Sequence, residues 1–344
     1  MPMLTLPQIG RRIDVQPGQT LLEAALDAGI SYPHSCRSGR CGACKSMLLE
    51  GHVTMGKHTR FALAEAEKAT NQILACRAVP QADVTVAWLD GEDATPAHPV
   101  VRQRAQVVAI ESLTHDIRRI RLSLEDREGF GFQPGQYIRL TVKDAPPRDY
   151  SLASLPDDRH LELYVRAVPG GRTSSRIVTG LRAGEIVQVE GPFGSAFLRE
   201  GHKGPIIAVA GGSGLAPIKS IVESALIADP QREVHVYFGA RSPRDVYLAD
   251  HFRGIAMDLP NVAYNAVLSK VAAPGWRPGY VSDAIAEDHV SLAGAKVYAA
   301  GPPRMVEAVR STVQTLGVKA ADIHADVFFT PEGNDAKVIE EVQS

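Results

Sequence analysis

SCRSGRCGACKS, residues 35–46, places Cys36, Cys41 and Cys44 within nine positions, in a chain that has only four cysteines. The fourth, Cys76, stands alone farther along. The spacing is C-x4-C-x2-C followed by a long gap, which lets one tight loop and one returning segment bring four thiolates to two irons. Gly39 and Gly42 lie between the cysteines. They free the backbone to curl around a cluster and aim N–H groups at its sulfurs, which with burial sets the potential. Two other uses of four cysteines compete. Zinc favours two close cysteine knuckles, and Cys76 has no neighbouring cysteine or histidine to complete a second one. Disulfides require an oxidising compartment. The N-terminal MPMLTLPQIGRR has no basic stretch leading into a long apolar run, so it does not read as an export signal. The cytoplasm is therefore the expected location, and a 2Fe–2S cluster the expected occupant.

At 344 residues the chain is long enough for two or three domains. A hydrophobic fraction of 44% and a charged fraction of 22% are those of a globular protein with full cores. A net charge of −2 gives no reason to expect nucleic acid or an anionic membrane as partner. No run approaches the roughly 18–20 apolar residues of a membrane span. There is no internal repeat. A polar, proline-containing stretch, DGEDATPAHP at 90–99, and a polar tail after Pro331 are the two breaks in composition. The expected division is a first domain at 1–92, a linker at 93–100, a second domain at 101–200, a third at 201–330 and a flexible tail at 331–344.

In the first segment, Thr20-Leu-Leu-Glu23 is a capping box opening a helix with Leu21, Leu22, Ala25 and Leu26 apolar and Gly29 at its end. Strand-forming stretches lie at Arg12–Val15, Lys45–Leu49 and Val84–Leu89. This α+β unit, with its cysteine spacing, resembles a plant-type 2Fe–2S ferredoxin. Arg37 and Arg40 beside the cysteines are solvated loop charges that are also suited to docking an acidic partner.

From Val101 to about Gly194 the hydrophobic period becomes two. Ile120, Leu122 and Leu124 alternate with polar residues, as do Ile138, Leu140 and Val142, and Leu161, Leu163 and Val165. Turn residues separate the runs (Gln133-Pro-Gly-Gln136, Gly170-Gly171), which argues an antiparallel barrel or sandwich. Within it, Arg148-Asp-Tyr-Ser151, Gly170-Gly-Arg-Thr-Ser174 and Gly191-Pro-Phe-Gly194 resemble, in order, the signatures of the FAD domain of the ferredoxin–NAD(P) reductase family. The chemistry suits that resemblance. A guanidinium grips phosphate oxygens bidentately, so Arg148 is expected on the FAD pyrophosphate. Tyr150 offers a flat ring to the isoalloxazine. Ser151 offers a hydroxyl to the N5 edge, where hydride arrives. Gly170 and Gly171 permit close backbone approach, with Arg172, Thr173 and a helix start at Ser174 meeting the second phosphate. Arg166 completes the cofactor-binding set.

The last third changes period again. The apolar run Ile206–Ala210 is followed by Gly211-Gly212-Ser213-Gly214-Leu-Ala-Pro217, then by a helix with Ile218, Ile221, Val222, Ala225 and Leu226 on one face. Strands are expected at Val234–Phe238, Val262–Leu268, Lys296–Ala300 and Ile323–Phe328. A helix lies between the last two, carrying Val306, Val309, Val313 and Leu316 and ending at Gly317. The alternation predicts a doubly wound parallel α/β sheet. Its glycine loop is placed for a dinucleotide pyrophosphate. GGSGLAP, Phe238-Gly-Ala-Arg241-Ser-Pro243 and Gly301-Pro302 resemble the nicotinamide domain of the same reductase family. One departure is Ala300, where many relatives carry cysteine. Asp326-Val-Phe328 resembles the family's terminal acidic-x-aromatic strand, which implies Phe328 over the flavin and Asp326 in the same pocket. Arg241 and Arg244 stand beside Asp245, and the resemblance favours NADH with some tolerance of NADPH.

The three modules together are an α+β ferredoxin-like (plant-type 2Fe–2S) domain, an antiparallel β-barrel FAD domain and an α/β doubly wound nicotinamide-binding domain. In this order they resemble the reductase components of bacterial aromatic-ring-hydroxylating dioxygenases, of the naphthalene dioxygenase reductase type, including THDIRRIRL, VPGGR, GLAPI, FGARS and HADVF. The resemblance implies an electron path from NADH through FAD and the cluster to a Rieske ferredoxin or Rieske oxygenase. It also implies no nucleic-acid or membrane partner, and a monomer is expected. A reductase of a di-iron monooxygenase or of a deoxysugar-synthesis dehydrase would carry the same modules. A redox sensor that uses its cluster as a switch is the reading from another class.

Overall fold

The computed structural model describes residues 1–329 apart from 31, 61 and 90–96. The expected tail at 331–344 lies outside the described residues, as do residues 93–96 of the expected linker at 93–100. The chain forms two compact units. One comprises Met1–Val100 with Phe193–Ser195, and the other Val101–Pro192 together with the described chain from Ala196 to Phe329. Among the described residues no helix is long and apolar enough to cross a membrane.

The first unit is built on strands β1 (Met3–Leu6), β2 (Arg11–Asp14), β3 (Lys45–Glu50), β5 (Gln72–Leu74) and β7 (Val84–Trp88), in the order β2-β1-β7-β3-β5. β1 and β7 are parallel and the other pairings antiparallel. A short ribbon pairs β4 (Val53–Met55) with β6 (Ala78–Pro80). Helix α1 (Leu21–Asp27) starts as its capping box predicts. The Thr20 hydroxyl accepts from Glu23 N, and Glu23 accepts from Thr20 N at 2.9 Å. The helix buries Leu21, Leu22, Ala24 and Ala25 in a core with Leu4, Leu6, Leu74, Val86 and Trp88. Each fully buried leucine contributes about 1.5–3 kcal/mol. Helix α2 (Glu65–Ala69) buries none of its residues.

The second unit begins with a six-stranded antiparallel sheet: β8 (Val101–Ser112), β9 (Ile117–Leu124), β10 (Tyr137–Thr141), β11 (Arg148–Ser151), β12 (Leu161–Arg166) and β13 (Ile186–Phe193). The order is β11-β10-β13-β8-β9-β12, and a single bridge between Leu152 and Leu163 joins its ends, so the sheet is nearly a closed barrel. The inward set expected from period two is buried: Ile120, Leu122, Leu124, Ile138, Leu140, Leu161, Leu163 and Val165. Tyr164 departs from the pattern. It should point outward, yet it is buried, with its ring edge-on to Tyr247 at 5.5 Å. β12 is covered on both faces because the α/β half of this unit packs on its outer side. The helix expected to start at Ser174 starts earlier: α3 spans Arg172–Ser175, continued by a π turn at Arg176–Gly180. The Ser174 hydroxyl accepts from Val168 N at 3.1 Å, within the first turn rather than ahead of it.

The α/β half is a wholly parallel sheet of β14 (Ile206–Gly211), β15 (Val234–Ala240), β16 (Val262–Leu268), β17 (Arg277–Pro278), β18 (Lys296–Gly301) and β19 (Ile323–Val327). The order is β17-β16-β15-β14-β18-β19, so the winding reverses at β14, where the strand carboxyl ends open a crevice. Its helices are α4 (Leu215–Ala228), α5 (Ala249–Asp258), α6 (Val281–Asp288) and α7 (Pro303–Thr315). The expected faces of α4 and α7 are buried, except that Leu316 caps α7 instead of joining its stripe. β19 ends one residue short of Phe328.

Candidate functional site

The cysteine loop folds back on its own sulfurs. Arg37, Gly39 and Gly42 adopt left-handed backbone (φ +53°, +75° and +79°), and this turns amides inward. Ser38 N and Arg40 N donate to Cys36 Sγ at 3.4 Å, Cys36 N to Cys41 Sγ at 3.4 Å, Ala43 N to Cys41 Sγ at 3.5 Å and Cys76 N to Cys44 Sγ at 3.5 Å. A side chain at Gly39 is excluded, since its Cβ would lie 2.8 Å from the Lys57 carbonyl. The thiols face each other in two pairs, Cys36 with Cys41 and Cys44 with Cys76. Four thiolates on one zinc would stand about 3.8 Å apart. Among the described residues no three of these sulfurs come within 4.8 Å of one another. Two pairs are what two irons require, so the donor set fits a 2Fe–2S cluster and not a single tetrahedral ion.

In the barrel, β11 presents the predicted flavin residues. Arg148 is exposed, bonds only the Pro147 carbonyl and has no carboxylate partner among the described residues. It lines an open cleft of ≈ 370 Å³ with Arg139, Pro147 and Asp149. Asp149 engages Arg139 at 3.1 Å across β10 and β11, which leaves Arg148 as an available cation for a phosphate. Tyr150, next on the strand, is half-buried. A Cβ at Gly171 would crowd the Ser174 hydroxyl at 2.7 Å and the Val168 carbonyl at 3.0 Å, so a side chain there would force the turn to adjust. The Thr173 hydroxyl donates to the Pro146 carbonyl at 2.7 Å and Ser174 is engaged as above. From those two residues only backbone N–H groups remain to meet a phosphate. Gly170 and Arg172 are exposed beside them.

Ser151 and Asp326 meet. The Ser151 hydroxyl donates to Asp326 Oδ2 at 2.8 Å, and the two are only 7% and 8% exposed. This bond joins the barrel strand that carries Arg148 and Tyr150 to β19, which ends just before Phe328. Phe328 N in turn donates to Gly301 O at 2.8 Å. The glycine loop lies on the same structure. A Cβ at Gly214 would lie 2.1 Å from Ala300 O, one at Gly211 2.6 Å from Met305 Sδ, and one at Gly301 2.9 Å from Gly211 O. Ser213 is half-buried and Pro217 sits in the first turn of α4. Pro217, Ala300, His324 and Asp326 line one narrow crevice. Burial pushes the His324 imidazole down to about 2, helped by Arg199 and Lys296, so a neutral ring lines it. Pro302 is exposed at the start of α7, and Arg241 is exposed beyond β15.

Arg166 faces the glycine loop, its Nη1 lying 3.2 Å from where a Cβ on Gly212 would stand. Asp116 holds its Nε at 2.7 Å. Burial opposes ionisation of Asp116, but the bond and charge of Arg166 outweigh it and keep the carboxyl below its usual range. Sequence reasoning missed Asp116. It also missed Tyr247, whose hydroxyl donates to the Gly212 carbonyl at 2.9 Å. Each lies far in sequence from the group it steadies, and only the THDIRRIRL motif around Asp116 offered a signal.

Three family models match in chain order. They are a 2Fe-2S iron-sulfur cluster binding domain at residues 4–81, an oxidoreductase FAD-binding domain at 104–197 and an oxidoreductase NAD-binding domain at 208–311. The chain is 38% identical over 332 residues to the reductase component of the naphthalene 1,2-dioxygenase/salicylate 5-hydroxylase systems of Ralstonia sp., covering 96% of this chain and 99% of that one. It is 39% identical over 326 residues to the reductase subunit of an Amycolatopsis aromatic O-demethylase, covering 93% and 96% respectively. The crystal structure of the Amycolatopsis reductase GcoB superposes with a TM-score of 0.80 at 38% identity, covering 95% of this chain and 99% of that one.

Proposed function

Because the chain belongs to the family of iron–sulfur flavoprotein reductases that includes the naphthalene dioxygenase reductase components, we propose that it carries electrons from NADH, by way of FAD and a 2Fe–2S cluster, to a Rieske-type ferredoxin or terminal oxygenase acting on an aromatic compound. Bound flavin takes two electrons as hydride and releases them singly, the conversion needed between nicotinamide and a one-electron cluster. The protein's part is binding, orientation and electrostatics. Arg148 neutralises the FAD pyrophosphate, and the Tyr150 ring backs the isoalloxazine. The Ser151 hydroxyl has its proton engaged by Asp326, so what it keeps for the cofactor edge is acceptor capacity. Phe328, pinned through its amide to Gly301, closes the pocket over which nicotinamide must pass. Cys36, Cys41, Cys44 and Cys76 hold the cluster. The four unpaired cysteines suit a reducing compartment, and the cytoplasm is the proposed location.

The observation that carries this reading is the buried Ser151–Asp326 bond. It gathers the predicted flavin strand, the terminal strand and the glycine loop in one compact unit. Anaerobic mixing of the holoprotein with NADH tests it. The flavin absorbance should bleach first and the cluster absorbance after it. NADPH should give the same sequence more slowly, as the family resemblance implies, and should react at all because the exposed Arg241 and Arg244 can accept its 2′-phosphate. A flavin that stays oxidised with both nucleotides would end the proposal. Arg148→Ala should weaken FAD binding about 10- to 100-fold, the worth of a lost charge-assisted bond, as read by flavin fluorescence on dilution. The 39% identity to an O-demethylase reductase subunit favours one second reading, an O-demethylating oxygenase as acceptor.

A further inference from the structure

The charges within and alongside the cysteine loop are predominantly positive. Residues 56–60 run alongside it: Thr59 N donates to Gly39 O at 2.9 Å, Thr59 Oγ1 to Arg40 O at 3.4 Å and Gly56 N to Arg77 O at 2.7 Å. Gly39 is enclosed by Arg77, Lys57 and His58. Between Arg37 and Ala64 the sequence carries Arg37, Arg40, Lys45, Lys57 and Arg60 against a single acid, Glu50. Glu50 ends β3 and accepts from the Thr85 hydroxyl at 3.1 Å. The acids of α2 are engaged, Glu67 by Lys45 at 2.5 Å and Glu65 by Lys68 at 2.7 Å. Lys57 and Arg60 are exposed, and among the described residues neither they nor Arg77 forms an ion pair. Like charges held close together repel, and the fold gains no bond from these. Cations at this place offset the negative charge of a thiolate-bound cluster, and the exposed Lys57 and Arg60 also present a positive field to a partner of opposite sign.

We propose that the basic rim of Arg40, Lys57, Arg60 and Arg77 is the docking face for an electron-accepting protein whose own face is acidic. The proposal rests on the cluster being the point from which electrons leave. Complementary fields raise encounter rates about 10- to 1000-fold at low salt. Rim charges act mainly on the association rate, and salt near 0.1 M screens them beyond about 10 Å.

Cytochrome c supplies the probe, used in its native basic form and with its lysines succinylated to make it acidic. With NADH at low ionic strength, Lys57→Glu/Arg60→Glu should slow reduction of the acidic form at least about tenfold relative to the parent. The same variant should speed reduction of the native form. Comparing proteins on one cytochrome at a time removes any difference in haem potential. For the parent, added salt should slow the acidic form and quicken the basic one, a readout that needs no variant. Flavin bleaching by NADH and the visible circular dichroism of the cluster should match between parent and variant. Parent rates that do not respond to salt, or a variant with an intact cluster and unchanged rates on both cytochromes, would overturn the docking face. Failure of the underlying reading looks different: Cys41→Ser would then reduce both cytochromes at the parent rate, showing that electrons leave from the flavin.

Discussion

Cys41→Ser should cut NADH-dependent cytochrome c reduction by at least about a hundredfold while leaving ferricyanide reduction within about threefold of the parent. Cys41 is buried, and its sulfur accepts the Cys36 and Ala43 amides, so it sits where those amides converge. A hydroxyl at that point is a poor ligand for iron, and the partner thiol Cys36 is left alone. The flavin residues belong to the other compact unit, where Ser151 is held by Asp326. A small anionic oxidant can therefore still draw electrons from the flavin. Equal loss of both activities would mean that the electron order is different, or that the cluster is needed for the protein to stand. A thermal melt of the variant separates those two outcomes.

Ser151→Ala should slow flavin reduction by NADH about a hundredfold in stopped flow. Removing the hydroxyl takes a bond from a carboxylate that is almost wholly buried. A buried group left short of a partner costs about 1–3 kcal/mol, more when charged. The strand carrying Asp326 would then settle differently against the barrel, and Phe328 with it. Asp326→Asn keeps an acceptor for the Ser151 hydroxyl and removes the charge, so its loss should be smaller, about tenfold. If Ser151→Ala bleaches at the parent rate, the hydroxyl has no part in positioning the cofactor edge. If Asp326→Asn falls as far as Ser151→Ala, charge rather than geometry is what the pair supplies.

What could be read from residues alone depended on how local each constraint is. The cysteine loop was legible because its ligand spacing and glycines are consecutive in sequence. The capping box at Thr20 and the run from β14 through its glycine loop into α4 were legible for the same reason. The strands of the barrel showed themselves by period two until a second layer intervened. Tyr164 lies on the outer face of β12, and nothing near it in sequence announces that Tyr247 covers it. Helices α5 and α6 passed unread because their stripes are thin: α5 buries Phe252 alone, and α6 buries Val281, Ser282, Ala284 and Ile285. In the candidate site, the resemblance named Ser151 and Asp326 separately. Their hydrogen bond spans 175 positions, a separation over which local pattern carries no information. Asp116 and Tyr247 went unread because they steady other residues and announce no chemistry of their own.

The edge position of β19 has a bearing on the order in which the protein is made. That strand pairs with β18 alone, and it carries the carboxylate that Ser151 meets. During synthesis the ferredoxin-like unit and every barrel strand emerge well before Ile323. On the roles proposed above, a growing chain can gather its cluster and grip FAD phosphates while its redox pocket is still open. The strand that completes it, Ile323–Val327, is made after all of these. A polypeptide halted short of that point is a holder of cofactors with no working connection to nicotinamide, so the cell is not exposed to a half-built electron source.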